Sequence, residues 1–505
     1  MVGLQKRAGL VCLGVGVLTL AVRLALLPVR PIPEATIQDE FSYLLGADTF
    51  RLGRVTNPAH PMWRHFEPIH ENSQPTYASK YPPAQALFLA LGWKLFGHPW
   101  YGVWLSCGAM CAALCWMLQG WLPPRYALLG GLMAAAQWGV AGYWVNSYWG
   151  GAVAAAAGAL VVGAVPRLAR RASSGVAALA ALGVVALANS RPYEGAVTVA
   201  AAAGAVWIWR RRAGRSWREL ASWRVAGPAA AILAGGLAAM LYYNYRVTGE
   251  ALLMPYTLNQ RTYGIAPIFW MMPLGPVPVY RHEIIRRLWV EYDMPFYRLA
   301  RSWPPRVALL FARTLWYFFL TAISALAVAV AVFLRRGRKV WMALGLAGAI
   351  SAGLLLERYP NAHYFAPATG LVLLLTLLGA QYVRVKAGGK ALAAFVVLFF
   401  GTAGVHACFL TGDEYPHRRF AAHRLSTIHQ LELQSGRHLA IVQYAPDHDP
   451  LEDWVYNQAD IDGSRIVWAR DMGAAGNRAL IEYYKDRRVW LVEPDAATTS
   501  PIPYR

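Results

Sequence analysis

Long apolar runs separated by short polar segments dominate the chain. A helix needs about 20 apolar residues to cross the hydrocarbon core of a bilayer. Apolar runs lie at residues 9–28, 83–97, 99–120, 126–142, 149–166, 174–189, 194–209, 225–246, 308–334, 339–356, 362–382 and 391–410. The pattern therefore predicts an all-α polytopic membrane protein.

The run at 83–97 differs from the others because it is short and contains Lys94. If it is re-entrant or lies in the membrane interface, all the basic blocks fall on the side of the N-terminus, namely Arg125, 167–171, 210–218, 335–339 and 384–390. That arrangement obeys the positive-inside rule. We therefore predict about 11 spans, a re-entrant or interfacial helix at 83–97, an inside N-terminus and an outside C-terminus.

This topology predicts a transmembrane domain over residues 1–410 with two large outer loops, 29–98 and 247–307. Within the second loop, residues 280–301 mix arginines with aromatic and aliphatic residues at helical spacing, as in an interfacial helix. All the polar residues that could do chemistry then lie on the outer face.

The tail at 411–505 differs in character from the rest of the chain. Its helix-like segment is 474–487, and its strand-like segments are 438–444, 465–469 and 488–494. This alternation predicts a small α/β domain, which the topology places on the extracytoplasmic side.

Composition agrees with a membrane protein and argues against a nucleic-acid-binding protein. The chain of 505 residues is 57% hydrophobic and 15% charged, with a mean hydropathy of +0.32. Its net charge of +21 would suggest a nucleic-acid partner in a soluble protein, but here the basic residues occupy short inner loops, so no nucleic acid is expected. Cys107, Cys111 and Cys115 share one helix face inside an apolar run and are interpreted as packing residues.

The first outer loop opens with the segment QDEFSY, which places Asp39 and Glu40 where the first span meets water. Thr36 and Asp39 fit the capping-box pattern, so Asp39 could simply accept backbone N–H bonds at a helix start. A carboxylate pair near cations of the same membrane face is also how a general base or a metal anchor is placed. The residues alone leave both interpretations open.

The segment QPTYASKYPPAQ contains a second candidate. Pro82 and Pro83 suit the first turn of a helix, which puts Lys80 at a helix N-terminus. Free N–H groups and a cation together form an anion site, and at a membrane face the anion is a lipid phosphate. The alternative is a lysine that snorkels to the headgroup boundary.

Later outer loops carry further ionisable residues. Arg191 and Glu194 lie in NSRPYEG, whereas Arg358 and His363 lie in ERYPNAHYFAP. Each could be an interfacial anchor with a nearby counter-ion. Their convergence on one face favours a shared site.

The loop segment at 60–74 is rich in possible metal ligands, namely His60, His65, His70, Glu67 and Glu71. A spacing of five does not bring histidines to one helix face, so a polar loop is the preferred interpretation over a metal site.

The order of these motifs, QDEFSYLLGADTF, then ASKYPPAQALFLALGWKLFG, then NSRPYEG closing a later span, resembles the GT-C superfamily of membrane glycosyltransferases. It is most similar to the branch of protein O-mannosyltransferases and lipid A aminoarabinose transferases. Those families carry an acidic pair at the start of the first outer loop and a Lys-Pro-Pro segment ahead of a membrane-surface helix. The motif match covers residues 9–210, and later spans agree only in architecture.

The resemblance implies an enzyme that moves a sugar from a polyprenyl-phosphate-linked donor to a glycan, lipid or protein acceptor. It would act on the extracytoplasmic face of a bacterial-type inner membrane, among membrane lipids. Asp39 and Glu40 would take the catalytic role, and Lys80 and Arg191 would hold the donor phosphate. The remaining implied site residues are Tyr81, Glu194, Arg358, His363 and Tyr364 around the donor, and Tyr43, Asn146, Tyr148 and Trp149 around the acceptor or pocket.

One departure from those families concerns the second acid. Many relatives carry another carboxylate where this chain has Asn146 in VNSYWGG. Either Glu40 supplies that acid, or a metal is not used as in some relatives, or the site has drifted. No metal ligands and no cofactor are assigned, and a divalent metal stays an open alternative.

Two other functions compete with sugar transfer. A membrane transporter or lipid flippase of the cell envelope would place ionisable residues near the bilayer midplane and show inverted repeats, whereas runs 149–166 and 225–241 carry no charge. A non-catalytic assembly or sensor protein would use the tail, which is rich in Asp and Trp, to bind a partner.

Overall fold

The protein is described here by a computed structural model covering residues 7–409, 418–496 and 500–504. Within these residues the apolar runs of the sequence are mostly helical. The helices of the first half are α1 (Ala8–Ala25), α2 (Gln38–Arg51), α3 (Ala84–Phe96), α4 (Trp100–Trp121), α5 (Pro124–Ala134), α6 (Gly151–Arg170), α7 (Ser174–Ala188), α8 (Pro192–Arg212), α9 (Arg218–Ala221) and α10 (Trp223–Thr248).

The second half continues the helical pattern with α11 (Pro255–Tyr263), α12 (Glu283–Arg287), α13 (Met294–Ser302), α14 (Pro304–Phe319), α15 (Ala322–Val330), α16 (Arg338–Leu354), α17 (Ala362–Phe365), α18 (Thr369–Phe409), α19 (Arg418–Glu432) and α20 (Gly473–Tyr483). A π-helical segment, Leu288–Asp293, joins α12 to α13. Residues 283–302 are thus one continuous helical stretch, which we call the Trp289 helix. The sequence predicted a helix there.

By length and composition, five helical stretches of the described residues could cross a bilayer: Ala8–Ala25, Trp100–Trp121, Gly151–Arg170, Trp223–Thr248 and Ala362–Val405. The predicted count of about 11 is not confirmed. Several apolar runs form helices that are too short, such as α3 with 13 residues and α7 with 15.

Two apolar regions differ from the predicted helices. One has a bend that the sequence did not predict, and the other joins two predicted runs in one helix. The single run predicted at 308–334 is two helical segments bent by 110°, because the Thr321 side chain accepts the Ser324 N–H and starts a new helix. In α18 the chain stays helical except at Gly388, whose φ of 83° is readily adopted only by glycine. Gly388 separates the two predicted runs 362–382 and 391–410.

The tail contains a four-stranded sheet and two helices. Its strands are β4 (His438–Val442), β5 (Ile466–Arg470), β6 (Arg488–Val492) and β7 (Ile502–Pro503), in the order β5-β4-β6-β7. The strand β4 pairs in parallel with β5 and β6, and β7 is antiparallel to β6. The three longer strands and α20 lie where the sequence predicted them. The predicted domain boundary at 410/411 lies outside the described residues.

The first loop packs between the membrane helices and the tail. It contains α2 and a small sheet of β1 (Asn57–Pro58), β2 (Glu71–Asn72) and β3 (Thr76–Ser79). Tyr77 donates a hydrogen bond to the Asn457 carbonyl at 3.0 Å, and the Ala459 N–H donates to Asp48 at 2.9 Å. These contacts join β3 and α2, which carries the acidic pair, to the tail.

The helical core forms around α4, whose side chains Met110, Leu114 and Cys111 are fully buried. The cysteines at 107, 111 and 115 are free buried thiols, as expected for packing residues. The helices α3 and α4 meet where Gly92 faces Gly102, and α3 begins four residues after Lys80 in the chain.

Candidate active site

A cavity of about 750 Å³ opens between the first loop, the start of α8, the Trp289 helix and the loop before α17. Its lining residues come from segments that lie far apart in the chain, from Ile37 to Leu451 of the tail. The lining residues that the sequence singled out are Asp39, Lys80, Tyr81, Trp149, Arg191, Glu194, Arg358 and Tyr364.

Asp39 lies in the first turn of α2 and is buried. Its Oδ1 accepts a hydrogen bond from the Tyr81 hydroxyl and is 3.3 Å from Nδ1 of His70. Burial opposes ionisation of this carboxyl, but the neighbouring His70, Lys80 and Arg191 outweigh burial and lower the pKa of Asp39 below its usual value. Asp39 is therefore a carboxylate at neutral pH. It does not cap α2, because the residue before the helix makes no side-chain cap.

Glu40 points away from the cavity. Its Oε2 accepts the Thr36 N–H at 2.8 Å, and its Oε1 accepts the Tyr148 N–H at 2.8 Å. Thr36 thus pairs with Glu40, not with Asp39 as the capping interpretation required. Burial raises the pKa of Glu40, whereas these backbone donors oppose that shift. The side chain ties the start of α2 to the loop before α6.

Lys80 is buried under aromatic rings. Its ammonium lies 5.1, 5.4 and 5.8 Å from the ring centres of Tyr81, Tyr256 and Trp289, within the range of cation–π attraction. Burial lowers the pKa of Lys80 to about 8, although the carboxylates of Asp39 and Asp293 favour the charged form. Pro82 and Pro83 precede α3, whose first N–H donates to the Asn189 carbonyl.

Arg191 directly precedes α8 and is buried. Its Nη1 is 3.9 Å from the Glu194 carboxylate, and its guanidinium lies 5.3 Å from the Tyr364 ring. Its buried Nη2 has no hydrogen-bond partner among the described residues. An unpaired guanidinium N–H at a cavity wall is suited to an incoming anion.

Arg358 forms a buried ion pair with Asp293. The two guanidinium nitrogens Nη1 and Nη2 lie 2.8 and 2.9 Å from the two carboxylate oxygens. The Tyr359 hydroxyl also donates to this carboxylate. Burial raises the pKa of Asp293 to about 6, against the opposing effect of Arg358.

No protein-family model matches the chain, and no curated protein sequence does. Solved structures match in fold. ArnT from Cupriavidus metallidurans bound to undecaprenyl phosphate aligns with a TM-score of 0.52 and 14% identity, over 94% of this chain and 92% of that chain. The oligosaccharyltransferase of Archaeoglobus fulgidus with zinc and sulfate aligns with a TM-score of 0.50 and 11% identity, over 96% of this chain and 67% of that chain.

The chain has the GT-C fold. The resemblance drawn from the opening motifs is thereby confirmed at the level of fold. The same oligosaccharyltransferase tethered to an acceptor peptide with an NVT sequon also aligns, with a TM-score of 0.50 and 10% identity, over 97% of this chain and 69% of that chain.

Several predicted site residues lie beside the cavity without lining it. Tyr43 stacks on Tyr81 at 4.4 Å between ring centres, and His363 packs on Trp149 at 4.2 Å. Asn146 accepts a hydrogen bond from Arg23 at 3.2 Å. The others are Glu40 and Tyr148, which bond to each other as described above. These residues shape the walls behind the cavity.

The cavity is also lined by residues that the sequence did not assign to it, namely His70, Tyr256, Trp289 and Asp293. Asp293 and Trp289 carried a signal, since they fall in a stretch expected to be a helix with charged and aromatic residues. His70 was named only as a possible metal ligand in a polar loop. Its approach to Asp39 depends on how that loop folds back, which the sequence pattern does not show.

The remaining histidine-rich part of the first loop faces the tail. His60 pairs with Asp462 at 3.0 Å, and His65 lies 3.4 Å from the Arg470 carbonyl. Within the described residues, no three His, Cys, Asp or Glu side chains are grouped so as to hold a metal ion.

Proposed function

We propose that the protein is an integral-membrane glycosyltransferase that moves a sugar from a polyprenyl-phosphate-linked donor to an acceptor on the extracytoplasmic face. The observation that carries this proposal is the cavity itself. It places the buried carboxylate of Asp39 beside three cations, Lys80, Arg191 and Arg358, which come from separate segments of the chain. The two arginines also pair with Glu194 and Asp293.

The cations suit the leaving group of this reaction. When the bond between the sugar and the phosphate breaks, negative charge grows on the phosphate, and fixed cations in a buried site stabilise that charge. Arg191 offers an unpaired N–H, and Lys80 offers an ammonium held by aromatic rings. The apolar wall of Phe269, Leu288 and Phe296 would accommodate the first part of a lipid chain.

The acceptor would enter on the side of Asp39. An acceptor hydroxyl needs a base or an aligning carboxylate as it attacks the anomeric carbon. The fold likeness to ArnT bound to undecaprenyl phosphate, and to an oligosaccharyltransferase tethered to an acceptor peptide, supports a site that takes both kinds of ligand.

The two ends of α6, one of the helices that could cross a bilayer, support this orientation. Trp149 at the cavity lies two residues before its first residue, whereas Arg167 and Arg170 lie in its last turn. Twenty residues of helix separate these ends by about 30 Å. Because basic clusters stay on the cytoplasmic side, the cavity would face the opposite side of the membrane.

The test uses the full chain in nanodiscs with a panel of undecaprenyl-phosphate-linked sugars, and mass spectrometry follows the release of undecaprenyl phosphate. We expect Asp39→Asn to lower turnover by about 100-fold or more, the size of effect that a base supplies, while undecaprenyl phosphate still binds. The matched control is Asp486→Asn, an exposed carboxylate of the tail that pairs with Arg437 at the surface, which should leave turnover unchanged.

Glu40→Gln separates the two members of the acidic pair. Because Glu40 bonds to the N–H and hydroxyl of Thr36 and to the Tyr148 N–H, groups that do not line the cavity, this variant should lose thermal stability and keep more turnover than Asp39→Asn. Full activity of Asp39→Asn would contradict the proposal. Movement of a labelled undecaprenyl lipid across the bilayer by the wild type, without any glycosyl product, would favour the flippase alternative.

A further inference from the structure

We infer that His70 is the residue that takes the proton from the acceptor hydroxyl, and that Asp39 holds its imidazole in place. This inference rests on the proposed transfer reaction and assigns one step of it. In this assignment the imidazole accepts the proton, and the carboxylate orients the imidazole.

The contact between the two side chains is the first ground. His70 lines the cavity, and its buried Nδ1 lies 3.3 Å from Oδ1 of Asp39, an ion-pair contact and not an aligned hydrogen bond. No described residue hydrogen-bonds its Nε2, and this atom is not among the fully buried ones. A carboxylate behind one imidazole nitrogen and an open second nitrogen is the arrangement in which the carboxylate orients the ring and the ring accepts the proton.

The backbone of His70 is the second ground. Its φ of 64° lies in the left-handed region, which among the described non-glycine residues is shared only by Arg336. Such a conformation costs about 1–3 kcal/mol and persists where the surroundings enforce it. Here the Ser42 hydroxyl donates to the His70 carbonyl at 2.7 Å, and the Lys80 N–H approaches the same oxygen at 3.4 Å. The loop is thus held in the one conformation that brings the ring to Asp39.

The surrounding charges are the third ground. The titratable groups that face His70 are Asp39, Lys80 and Tyr81, and the Trp289 ring packs against it at 6.1 Å. Burial and the Lys80 ammonium lower the pKa of His70, so the ring is neutral and able to accept a proton at neutral pH. The pKa of Asp39 lies below its usual value, so this carboxylate is ionised and can stabilise an imidazolium beside it.

The step balances as follows. The acceptor oxygen attacks the anomeric carbon and forms the new glycosidic bond. The bond between that carbon and the phosphate oxygen breaks, and the phosphate keeps the electron pair. The acceptor proton moves to Nε2 of His70, and the resulting imidazolium is stabilised by the adjacent Asp39 carboxylate until it releases the proton to water.

The first test compares wild type, His70→Asn and His70→Gly in the nanodisc assay. Asparagine and glycine both tolerate a positive φ, so neither should disturb the loop. We expect His70→Asn to lower kcat by about 100-fold while binding of undecaprenyl phosphate persists, and to lose the acid limb of the wild-type pH–rate profile. Added imidazole should restore turnover to His70→Gly. Wild-type kcat in His70→Asn would overturn the inference.

The second test needs no turnover, so it stays informative if the wild type transfers no sugar in the panel. Diethylpyrocarbonate reacts with neutral imidazole, and mass spectrometry can follow its reaction at residue 70 against pH, with exposed His423 as the internal reference. Because the Asp39 carboxylate favours imidazolium, Asp39→Asn should shift the inflection for His70 to lower pH and leave that of His423 in place. Undecaprenyl phosphate should protect His70. An unchanged inflection in Asp39→Asn would overturn the pairing even if transfer is observed.

Discussion

Lys80 is an ammonium held by three aromatic rings rather than by a direct salt bridge with a described residue. Removing a lysine from water favours its neutral form, and burial therefore lowers the pKa of Lys80 to about 8. The rings and the carboxylates of Asp39 and Asp293 keep it charged at neutral pH. A phosphate that binds beside it should meet a cation that a modest rise in pH can remove.

Affinity for undecaprenyl phosphate should therefore fall as the pH rises through and above about 8. The sign follows because the charged form exists below the pKa and the neutral form above it, while the arginines in the cavity stay charged. A charge-assisted hydrogen bond is worth about 1.5–3 kcal/mol, so the loss should be about 10-fold or more. Calorimetry or thermophoresis in nanodiscs at a series of pH values measures it.

The control for that titration is Lys80→Arg, which keeps a cation that does not lose its charge in this pH range. Its binding curve should be flat where the wild-type curve falls. The exposed Lys94→Ala variant should follow the wild type throughout. If the wild type binds equally well on both sides of pH 8, Lys80 is not a phosphate contact.

The acidic pair shows what sequence could and could not predict at this scale. The motif indicated that Asp39 and Glu40 matter, but adjacent helical residues point about 100° apart, so only one could face the site. Which one does so depends on Tyr81 and Tyr148, the partners that later segments bring to each carboxylate. Spacing along the chain does not show which partners later segments bring to each carboxylate. For the same reason the sequence did not predict that His70 lies in the site.

Among the helices, α3 and α4 approach each other at backbone distance where Gly92 meets Gly102. A Cβ added to Gly92 would collide with the backbone of Gly102, and a Cβ added to Gly102 would collide with the Phe88 carbonyl. Small residues allow helices in a bilayer to approach this closely. Because α3 begins four residues after Lys80, this crossing also supports the position of the lysine.

Gly92→Ala should therefore force the two helices apart. Overpacking of a core costs about 1–3 kcal/mol and more where the obstacle is backbone. We expect a lower melting midpoint and weaker binding of undecaprenyl phosphate, measured by intrinsic fluorescence and calorimetry. Gly345→Ala, at an exposed helical glycine with nothing near its would-be Cβ, should not lower stability. Equal stability of both variants would show that the crossing tolerates a side chain.

Hydrophobic runs predicted the helices well because burial and backbone hydrogen bonding act locally along each run. They did not predict the number of candidate spans, because a run of about 15 apolar residues can form a complete helix that is too short to cross. The bend at Thr321 depends on a single hydroxyl cap within an otherwise apolar run. Hydropathy averages such a residue away.

Across the whole molecule, the site depends on contacts between the first loop and the tail. Arg470 at the end of β5 donates from Nε to the Glu67 carbonyl at 2.7 Å, so it joins the tail sheet to the loop that continues to His70 and Lys80. Phe41 on α2 stacks on Tyr456 at 4.2 Å between ring centres. The tail thereby supports the loop from the side opposite the membrane helices, and we expect it to influence binding in the cavity.

Arg470 offers a test of that support because its other partner is a fully buried carboxylate. Its Nη1 and Nη2 bond to Asp453 at 3.0 and 2.7 Å, and Asp453 is 0% exposed. Removing one partner of such a pair leaves an uncompensated buried charge and costs about 3–5 kcal/mol. Arg470→Met should therefore lower the melting midpoint, speed hydrogen exchange over residues 57–80, and weaken binding of undecaprenyl phosphate.

The double variant Arg470→Met with Asp453→Asn distinguishes the effect of an uncompensated buried charge at Asp453 from the effect of lost packing at Arg470. Asparagine keeps an oxygen for the Tyr444 hydroxyl, which donates to Asp453 at 2.6 Å, but carries no charge. The double variant should thus be more stable than Arg470→Met alone. Arg437→Met provides the matched exposed case, since Arg437 and Asp486 lie 3.5 Å apart at the surface, where a pair contributes at most about 1 kcal/mol. If Arg470→Met destabilises the tail but leaves exchange in the first loop and lipid binding unchanged, the tail does not support the site.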